Sequence, residues 1–515
     1  MILFLKNIFT KTGEFAKTLL VIFFIFSCKE NPTSSIQNNL PPETYIWVDT
    51  IAQTLSSQIK LHWWGDDPDG FVKGFNVSID GTNWNFTTQK ESTFTLTLGS
   101  QVFDTSLIQI SAIDNQNKID PTPAKIKSII KNTPPKISFD SFSEIPTQTL
   151  PVATFSFHAS DIDGKNTIKN IFIALNDTSQ NSWRVIPNNI SLLTLVADLS
   201  DTSKNIVDAN VKSGNNLLSL NLSIPNLKLN SLNVFYVYCE DISGAKSSII
   251  RMPDSSKNWF VKKPKGRRKI LLIDDYQSST PNPDDIYKNS FSNSKGIDGN
   301  NFSDIDIFDI NTSQIPTAIS QPMLIETMKL YKSIFWYGKV ANLDLAQKTI
   351  PHYLEANGKA CFTTGFSNLS LSGIEPSSLS LDFTPIDSLI TSYKKDSTVN
   401  SGFISRVYLN SKILPTDNLS QNKFPILIFD RTAIFGSYAF EPGPTDYVIY
   451  RLDLPKQNNS EEKWIGNPAV GVKSNNGKLI FFTIPLHLLQ SVDAQSGKTN
   501  LVLLIERIFN REFGL

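Results

Sequence analysis

Two reactive side chains stand apart in the C-terminal half of this sequence. Cys361 lies in Lys359-Ala360-Cys361-Phe362-Thr363-Thr364-Gly365, and His487 in Ile484-Pro485-Leu486-His487. A thiol becomes a nucleophile when a nearby base or a helix N-terminus removes its proton, so this pair is the one candidate for covalent chemistry. Leu488 and Leu489 follow His487, which leaves no acidic neighbour to orient the imidazole. Carboxylates form the second group. Asp67 and Asp69 precede Gly70, and Asp161 and Asp163 precede Gly164. Such stretches offer hard oxygen ligands to calcium, and they equally close turns through side-chain bonds to the backbone. Both readings stay open. Asp274 and Asp275 end an apolar run, where they could coordinate a cation or cap the next segment.

Composition bounds what surrounds these residues. The chain has 515 residues, 48 basic and 48 acidic side chains, 40% hydrophobic and 19% charged residues. At roughly 100–200 residues per domain, about three domains are expected. A neutral balance argues against a nucleic-acid partner. The hydrophobic fraction is too high for a disordered chain. Three cysteines exclude a disulfide-dense scaffold. Four histidines, without CxxC or HExxH spacing, argue against a structural zinc site or a zincin.

The N-terminus sets an address. Lys6, Lys11 and Lys17 precede the apolar run Leu19–Phe26, which is about half the length of a membrane-spanning helix, and Ser27-Cys28 follow. Residues 1–27 therefore read as a signal peptide. The ending Ile25-Phe26-Ser27-Cys28 resembles a bacterial lipobox, which implies that Cys28 is lipidated and anchors the protein to a membrane. Lys29-Glu30 after the cysteine imply the outer membrane, on either its periplasmic or its surface face, and look like surface-export signals of Bacteroidetes-type lipoproteins. Residues 28–42 are polar and rich in Pro and Asn, and read as a flexible tether.

From 43 to 133 short runs alternate apolar and polar residues between turn signals, as in Phe71–Ile79 and Phe94–Leu98, the pattern of a half-buried β-strand. Alternation lets only one of Trp63 and Trp64 face a core. The other would meet solvent, where it could stack on a sugar ring. Residues 134–262 read as a second copy, with Asp161-x-Asp163-Gly164 matching Asp67-x-Asp69-Gly70 and Asp241 matching Asp114. The longer interval in the second copy places an insertion within 176–230. The residues Trp64, Asp67, Asp69, Gly70, Asp80, Gly81, Trp84, Ala112, Asp114 and Asn115 carry a pattern that resembles immunoglobulin-like and fibronectin III-like modules of bacterial envelope lipoproteins. Two all-β sandwiches are thus expected.

Lys262–Lys269 holds six basic residues in eight positions, and 263–268 reads as a solvated linker. The period then changes. Ile270–Asp275 is a continuous apolar run ending in carboxylates, as in a buried parallel strand. After a polar stretch over 276–304 come a strand at 305–310, a helix near 321–331, a strand at 333–338, a helix ending at Asn357-Gly358, a strand at 359–365, a late strand at 478–485 and a final helix over 496–510. Residues 269–515 are therefore predicted to form a doubly wound α/β domain of amidotransferase or flavodoxin-like layout. The stretches "ILLIDD", "SIFWYG", "YLEANGKACFTTG" and "GKLIFFTIPLH" resemble the class I glutamine amidotransferase-like fold. Active members of that family carry a cysteine at a tight strand-to-helix elbow and a His-x-Glu pair after a late strand. Here Cys361 lies inside the strand and Leu489 stands where the acid would be, so the resemblance implies a degenerate site with no catalytic residues. Ligands of such sheets bind beyond the strand ends, which nominates Asp274, Asp275, Gly338, Gly365 and His487 as a binding rim. The expectation is a lipid-anchored, non-catalytic envelope protein whose β-sandwich stalk presents this domain to an envelope protein or glycan partner. The alternatives are a surface hydrolase with its site at the rim, and a structural subunit of an envelope secretion or adhesion assembly. No cofactor is expected beyond the calcium reading of Asp67, Asp69, Asp161 and Asp163.

Overall fold

The computed structural model describes residues 38–48, 58–96, 103–267, 269–276, 283–313, 315–367, 381–395, 397–416, 424–453 and 467–515. The stretch read as a signal peptide, Cys28 and most of the stretch read as a tether lie outside the described residues. The chain divides into two compact units, the first ending at Thr133 and the second running from Pro134 to Leu515.

The first unit is an antiparallel β-sandwich of immunoglobulin or fibronectin III-like type. One sheet has three strands in the order Glu43–Val48, Gln58–Asp66, Glu91–Thr95. The other has four, in the order Asn85–Thr87, Val72–Ser78, Phe103–Asp114, Ala124–Lys131. Inward side chains of both sheets, Leu61, Trp63, Phe75, Val77, Ile108, Ile110 and Ala112 among them, form one core. The strand alternation decides between the adjacent tryptophans: Trp63 is 2% exposed and Trp64 is 44% exposed. Within the stretch read as tether, Asn39 donates to Asp114 (2.6 Å) and the Leu40 amide to Asp69 (3.0 Å), so the module begins before residue 43.

The second unit opens with another sandwich. Its five-stranded sheet runs in the order Leu218–Lys228, Ile206–Ser213, Leu192–Ala197, Val152–Ser160, Lys136–Phe139, and its four-stranded sheet Arg184–Ile186, Ile168–Leu175, Phe235–Asp241, Ile250–Met252. Asp114 and Asp241 occupy the same place in the two copies. Each carboxylate accepts from the backbone amides two and four residues on, Gln116 and Lys118 in one and Ser243 and Ala245 in the other. The second core has its own aromatic centre, with Phe155 stacked on Phe235 at 4.0 Å and edge-on to Trp259. Most of the extra residues of this copy continue its larger sheet as the strand pair 206–213 and 218–228.

The rest of the unit surrounds a nine-stranded sheet. Five parallel strands form one half: β1 (Ile270–Asp275), β2 (Ile305–Asp309), β3 (Ser333–Val340), β4 (Lys359–Gly365) and β5 (Leu479–Phe482), in the spatial order β2-β1-β3-β4-β5. Antiparallel strands Ala469–Lys473, Tyr447–Asp453, Lys412–Pro415 and Leu427–Ile428 extend it past β5. Both faces are covered, so successive side chains go to different cores. Ile270 and Leu272 pack with α1 (Asp284–Ser292) and a C-terminal helix, Asn500–Glu506. Leu271 and Ile273 pack with α2 (Thr317–Lys329) and α3 (Leu343–Glu355). The stretch 276–304, read from sequence as a polar insertion, holds α1. Its buried face rests on Tyr287 and Phe291, too short a stripe to register as periodicity. The helix α3 ends as expected, with Asn357 at a φ of +65° and Gly358 packed under the Tyr353 ring.

The basic segment is a joint rather than a solvated linker. The Lys263 amide donates to Asn230 (2.9 Å), the Lys265 amide to Asp306 (2.7 Å), and Lys262 pairs with the fully buried Asp306 at 3.5 Å. Beside it, α2 packs on strand Val152–Ser160, and Lys212 of the sandwich reaches Glu326 of α2 at 2.7 Å. Glu326 is 3% exposed and also meets Lys329 at 3.1 Å. A carboxylate so buried depends on its cations. Lys212→Ala is therefore expected to destabilise the second unit by on the order of 2–3 kcal/mol, less than full loss of a buried pair because Lys329 remains. Urea unfolding followed by hydrogen exchange in α2 checks this. A change under about 0.5 kcal/mol would reduce the contact to a surface ion pair.

Candidate functional site

The parallel strand order creates one natural site. The chain leaves β1 for β2 on one side and returns to β3 on the other, so the carboxyl ends of β1 and β3 flank the point where the winding reverses. Side chains there divide between the two faces of the sheet.

On the α2/α3 face, Asp275 is fully buried. Its Oδ2 accepts from the Trp336 indole (3.1 Å) and from the Asn342 amide. Asn342 in turn caps α3 by accepting from the Leu345 amide at 3.1 Å. Thr364 accepts from the Ala341 amide at 2.9 Å. These bonds fix the loop between β3 and α3, and Gly338 lets that loop fold back: a Cβ there would lie 2.8–3.1 Å from Ala341. Burial is the main reason that the Asp275 carboxyl is pushed up to about 6, with Asp274 and Asp309 adding to it against the two hydrogen bonds. A cavity of about 180 Å³ opens beside this loop, between the end of β2 and the starts of α2 and α3, lined by Phe308, Thr317, Ser320, Gln321, Asn342 and Lys348 among others.

On the α1 face lies an aromatic cluster. Tyr287 packs on Tyr337 at 4.5 Å and on Phe335 at 4.9 Å. Its hydroxyl accepts from the His487 amide at 3.1 Å and meets His487 Nδ1 at 3.4 Å. Burial, and secondarily Arg431, pushes the His487 imidazole down to about 4, so the ring is neutral at neutral pH. Burial and the neighbouring Asp274 push the Tyr337 hydroxyl well above its usual range.

The residues nominated from sequence thus do not converge on one pocket. Asp275 and Gly338 build the α3 loop, while Asp274 and His487 belong to the tyrosine cluster across the sheet. Gly365 is closed in by backbone. A Cβ there would come within 2.5 Å of the Lys339 carbonyl oxygen and 2.9 Å of that of Gly436, and the Phe366 amide donates to Gly436 at 3.1 Å. Gly436 belongs to strand Ala433–Pro442 of a small antiparallel sheet inserted between β4 and β5. Cys361 sits mid-strand between Phe335 and Ile480, fully buried, and burial pushes its thiol far above the usual value. Sequence reasoning reached Thr364 with the strand end Thr364-Gly365, but missed Trp336, whose role depends on strand pairing, and Tyr287, which α1 brings onto the sheet. Asn342 was within reach, standing directly before the apolar-periodic Leu343 with Asp344 behind it.

The two Asp-x-Asp-Gly loops differ in how their carboxylates are used. In the second loop the Asp163 amide and the Thr167 hydroxyl donate to Asp161 (2.9 and 2.7 Å); in the first, Asp69 accepts from the Leu40 amide, whereas both Asp67 carboxylate oxygens are buried with no hydrogen-bond partner among the described residues. Among the described residues, no group of three or more His, Cys, Asp or Glu side chains is arranged to hold a metal ion.

No protein-family profile and no curated protein matches the chain. Solved structures similar to it include the fibronectin(III)-like modules of Clostridium thermocellum CbhA, at 11% identity over 42% of this chain and 95% of that one, with a TM-score of 0.15. Carbohydrate-binding modules of the β-sandwich superfamily match at 11% identity over 34% of this chain and 59% of that one, TM-score 0.15. Latent PorU from Porphyromonas gingivalis matches at 11% over 44% and 21%, TM-score 0.14. At these scores the fold rests on the sheet orders above.

Asp275 and His487 affect stability in opposite senses on acidification. The folded-state value of Asp275 is raised, so the native state gains protons first and stability rises as pH falls from about 6 to the unfolded carboxylate range near 4. His487 is depressed, so stability is lost as pH falls from the unfolded imidazole value near 6.5 toward about 4. Asp275→Asn should therefore gain over the parent at pH 7 relative to pH 4, by on the order of 3 kcal/mol, and His487→Gln should show the reverse trend. Urea midpoints across pH 4–7 (roughly the window both groups span) decide it, and parallel curves for all three proteins would refute both assignments.

Proposed function

We propose that this chain is a lipid-anchored cell-envelope protein with a non-catalytic binding or scaffold role, its β-sandwich modules carrying a degenerate amidotransferase-like α/β domain. The observation that carries the non-catalytic reading is the closure of the β4 turn. In an amidotransferase-like site the nucleophile must stand at that turn, and here Gly365 lies under two backbone carbonyls with no space for a side chain. The family's cysteine would be exposed and acidic. Cys361 is instead four strand positions before Gly365, buried and held protonated. The β2-β1-β3-β4-β5 order with helices on both faces supports the amidotransferase-like reading of the domain. Anchoring rests on Cys28 at the end of the short apolar run, and an outer-membrane address on Lys29-Glu30.

Two measurements test the reading. Labelled palmitate should enter the full-length protein in a Gram-negative host and be lost, together with membrane association, in Cys28→Ala. Cys361 should resist a thiol-specific chromogenic reagent in the native state and react only on unfolding. A Cys361-dependent hydrolysis of glutamine or another amide would overturn the non-catalytic role.

A further inference from the structure

Strand register sets a ladder of side chains on the outward face of the first module's three-stranded sheet. Glu43 stands opposite Asp66, Tyr45 opposite Trp64, and Trp47 opposite His62, which in turn faces Glu91. The alternate residues, Thr44, Leu61 and Trp63, are buried. Three large rings therefore meet water together: Trp47 is 58% exposed, Trp64 44% and Tyr45 41%. They are ordered against one another. Trp47 stacks on His62 at 4.7 Å with 14° between planes, and Tyr45 leans on Trp64 at 4.5 Å. A strand needs only polar residues on its solvent side, and an exposed cluster of this size marks an interaction surface.

The charges around the rings say what kind of partner fits. Glu91 is neutralised locally by Lys60 at 3.2 Å and meets His62 at 3.1 Å. Glu43 and Asp66 face each other across the strand pair, and among the described residues no Lys, Arg or His forms an ion pair with either. Like charges directly opposite in a sheet are destabilising, so folding alone does not account for them. The Tyr45 hydroxyl donates to Glu43 at 2.9 Å and brings no positive charge.

We propose that this face binds a cationic polypeptide segment, with a Lys or Arg side chain seated between the Glu43 and Asp66 carboxylates and against the faces of Tyr45 and Trp64. Carboxylates and aromatic faces attract the same cation by two routes, direct charge pairing and the ring quadrupole. A neutral glycan could stack on the rings and donate its hydroxyls to the carboxylates, but it would leave their two facing negative charges uncompensated. From Glu43 to Trp47 the platform extends about 14 Å, enough for roughly four residues of extended peptide. The inference rests on the binding role proposed above, and gives it a surface and a ligand chemistry.

The test uses the full chain and isothermal titration with a capped hexalysine peptide, with chitohexaose as the neutral glycan. Hexalysine should bind at low salt and weaken as ionic strength rises. Glu43→Gln with Asp66→Asn, which leaves every ring in place, should weaken it about tenfold or more, and Trp64→Ala should weaken it as well. Cooperative thermal unfolding of the variants, at or above the parent's temperature for the carboxylate pair, keeps the comparison clean. Absence of hexalysine binding, or binding indifferent to the carboxylate variant, would overturn the proposal. Tighter binding of chitohexaose, lost in Trp64→Ala, would assign the face to glycans instead. Either failure leaves the Cys28 and Cys361 measurements standing, because those are read on other residues.

Discussion

Two carboxylates buried along one seam, Asp306 and Glu326, hold the C-terminal unit together. Neither could be left there alone, since an unpaired charge out of water costs several kcal/mol. Asp306 at the β2 edge draws in the Lys265 amide, the Lys262 ammonium and the Tyr331 hydroxyl. Glu326 on α2 draws in Lys212 from the second sandwich. Apolar packing follows the same seam: Leu330 touches both cores, and Leu150, before the first long strand of the sandwich, is buried in the α2/α3 core. The orientation of the parallel sheet relative to that sandwich is thereby set, and with it the direction in which the strand ends open.

The same logic explains the site at those strand ends. Asp275 is buried where a neutral residue would cost less, and it organises a loop by accepting from the Trp336 indole and the Asn342 amide. The loop then positions the start of α3 beside a small cavity. On the opposite face the polar groups are Asp274, the tyrosine hydroxyls and a neutral imidazole, with the Tyr287 hydroxyl bonded to the backbone amide and ring of His487. One end of the sheet thus has two chemically different sides, a loop-building side around Asp275 and an aromatic side around Asp274, separated by the thickness of the backbone.

Local signals carried most of the architecture. Alternation at Ile59–Trp64 specified a sandwich strand and required that Trp63 and Trp64 part, and the aspartates 114 and 241 marked equivalent turns in both modules. The apolar run Ile270–Asp275 announced a buried parallel strand because both faces of such a strand need hydrophobic side chains. What stayed hidden depends on residues distant in the chain. Nothing near Asp275 in sequence points to Asn342, and nothing near Gly365 points to Gly436. The basic run Lys262–Lys269 looked like a solvated linker because its partners, Asp306 and Asp298, come later. Charge placed at a boundary is ambiguous until the opposing surface is known. The α1 helix escaped for a different reason: two buried aromatics one turn apart suffice once the sheet is present, but they make too little pattern to stand out among polar neighbours.

The insertion between β4 and β5 bears on how this domain forms in time. β4 pairs in parallel with β5, Ala360 beside Leu479, across the whole antiparallel insertion. Closing so long a loop is entropically costly and gives nothing back until both strands are present, which is the regime of slow folding. Synthesis from the N-terminus therefore leaves β4 as an open parallel edge until residues 479–515 arrive. During that interval the unpaired backbone of β4, flanked by Phe362 and Cys361, is the segment most exposed to wrong pairing. In the folded domain strand Ala433–Pro442 meets the end of β4 through the bond from the Phe366 amide to Gly436, which places it beside that edge.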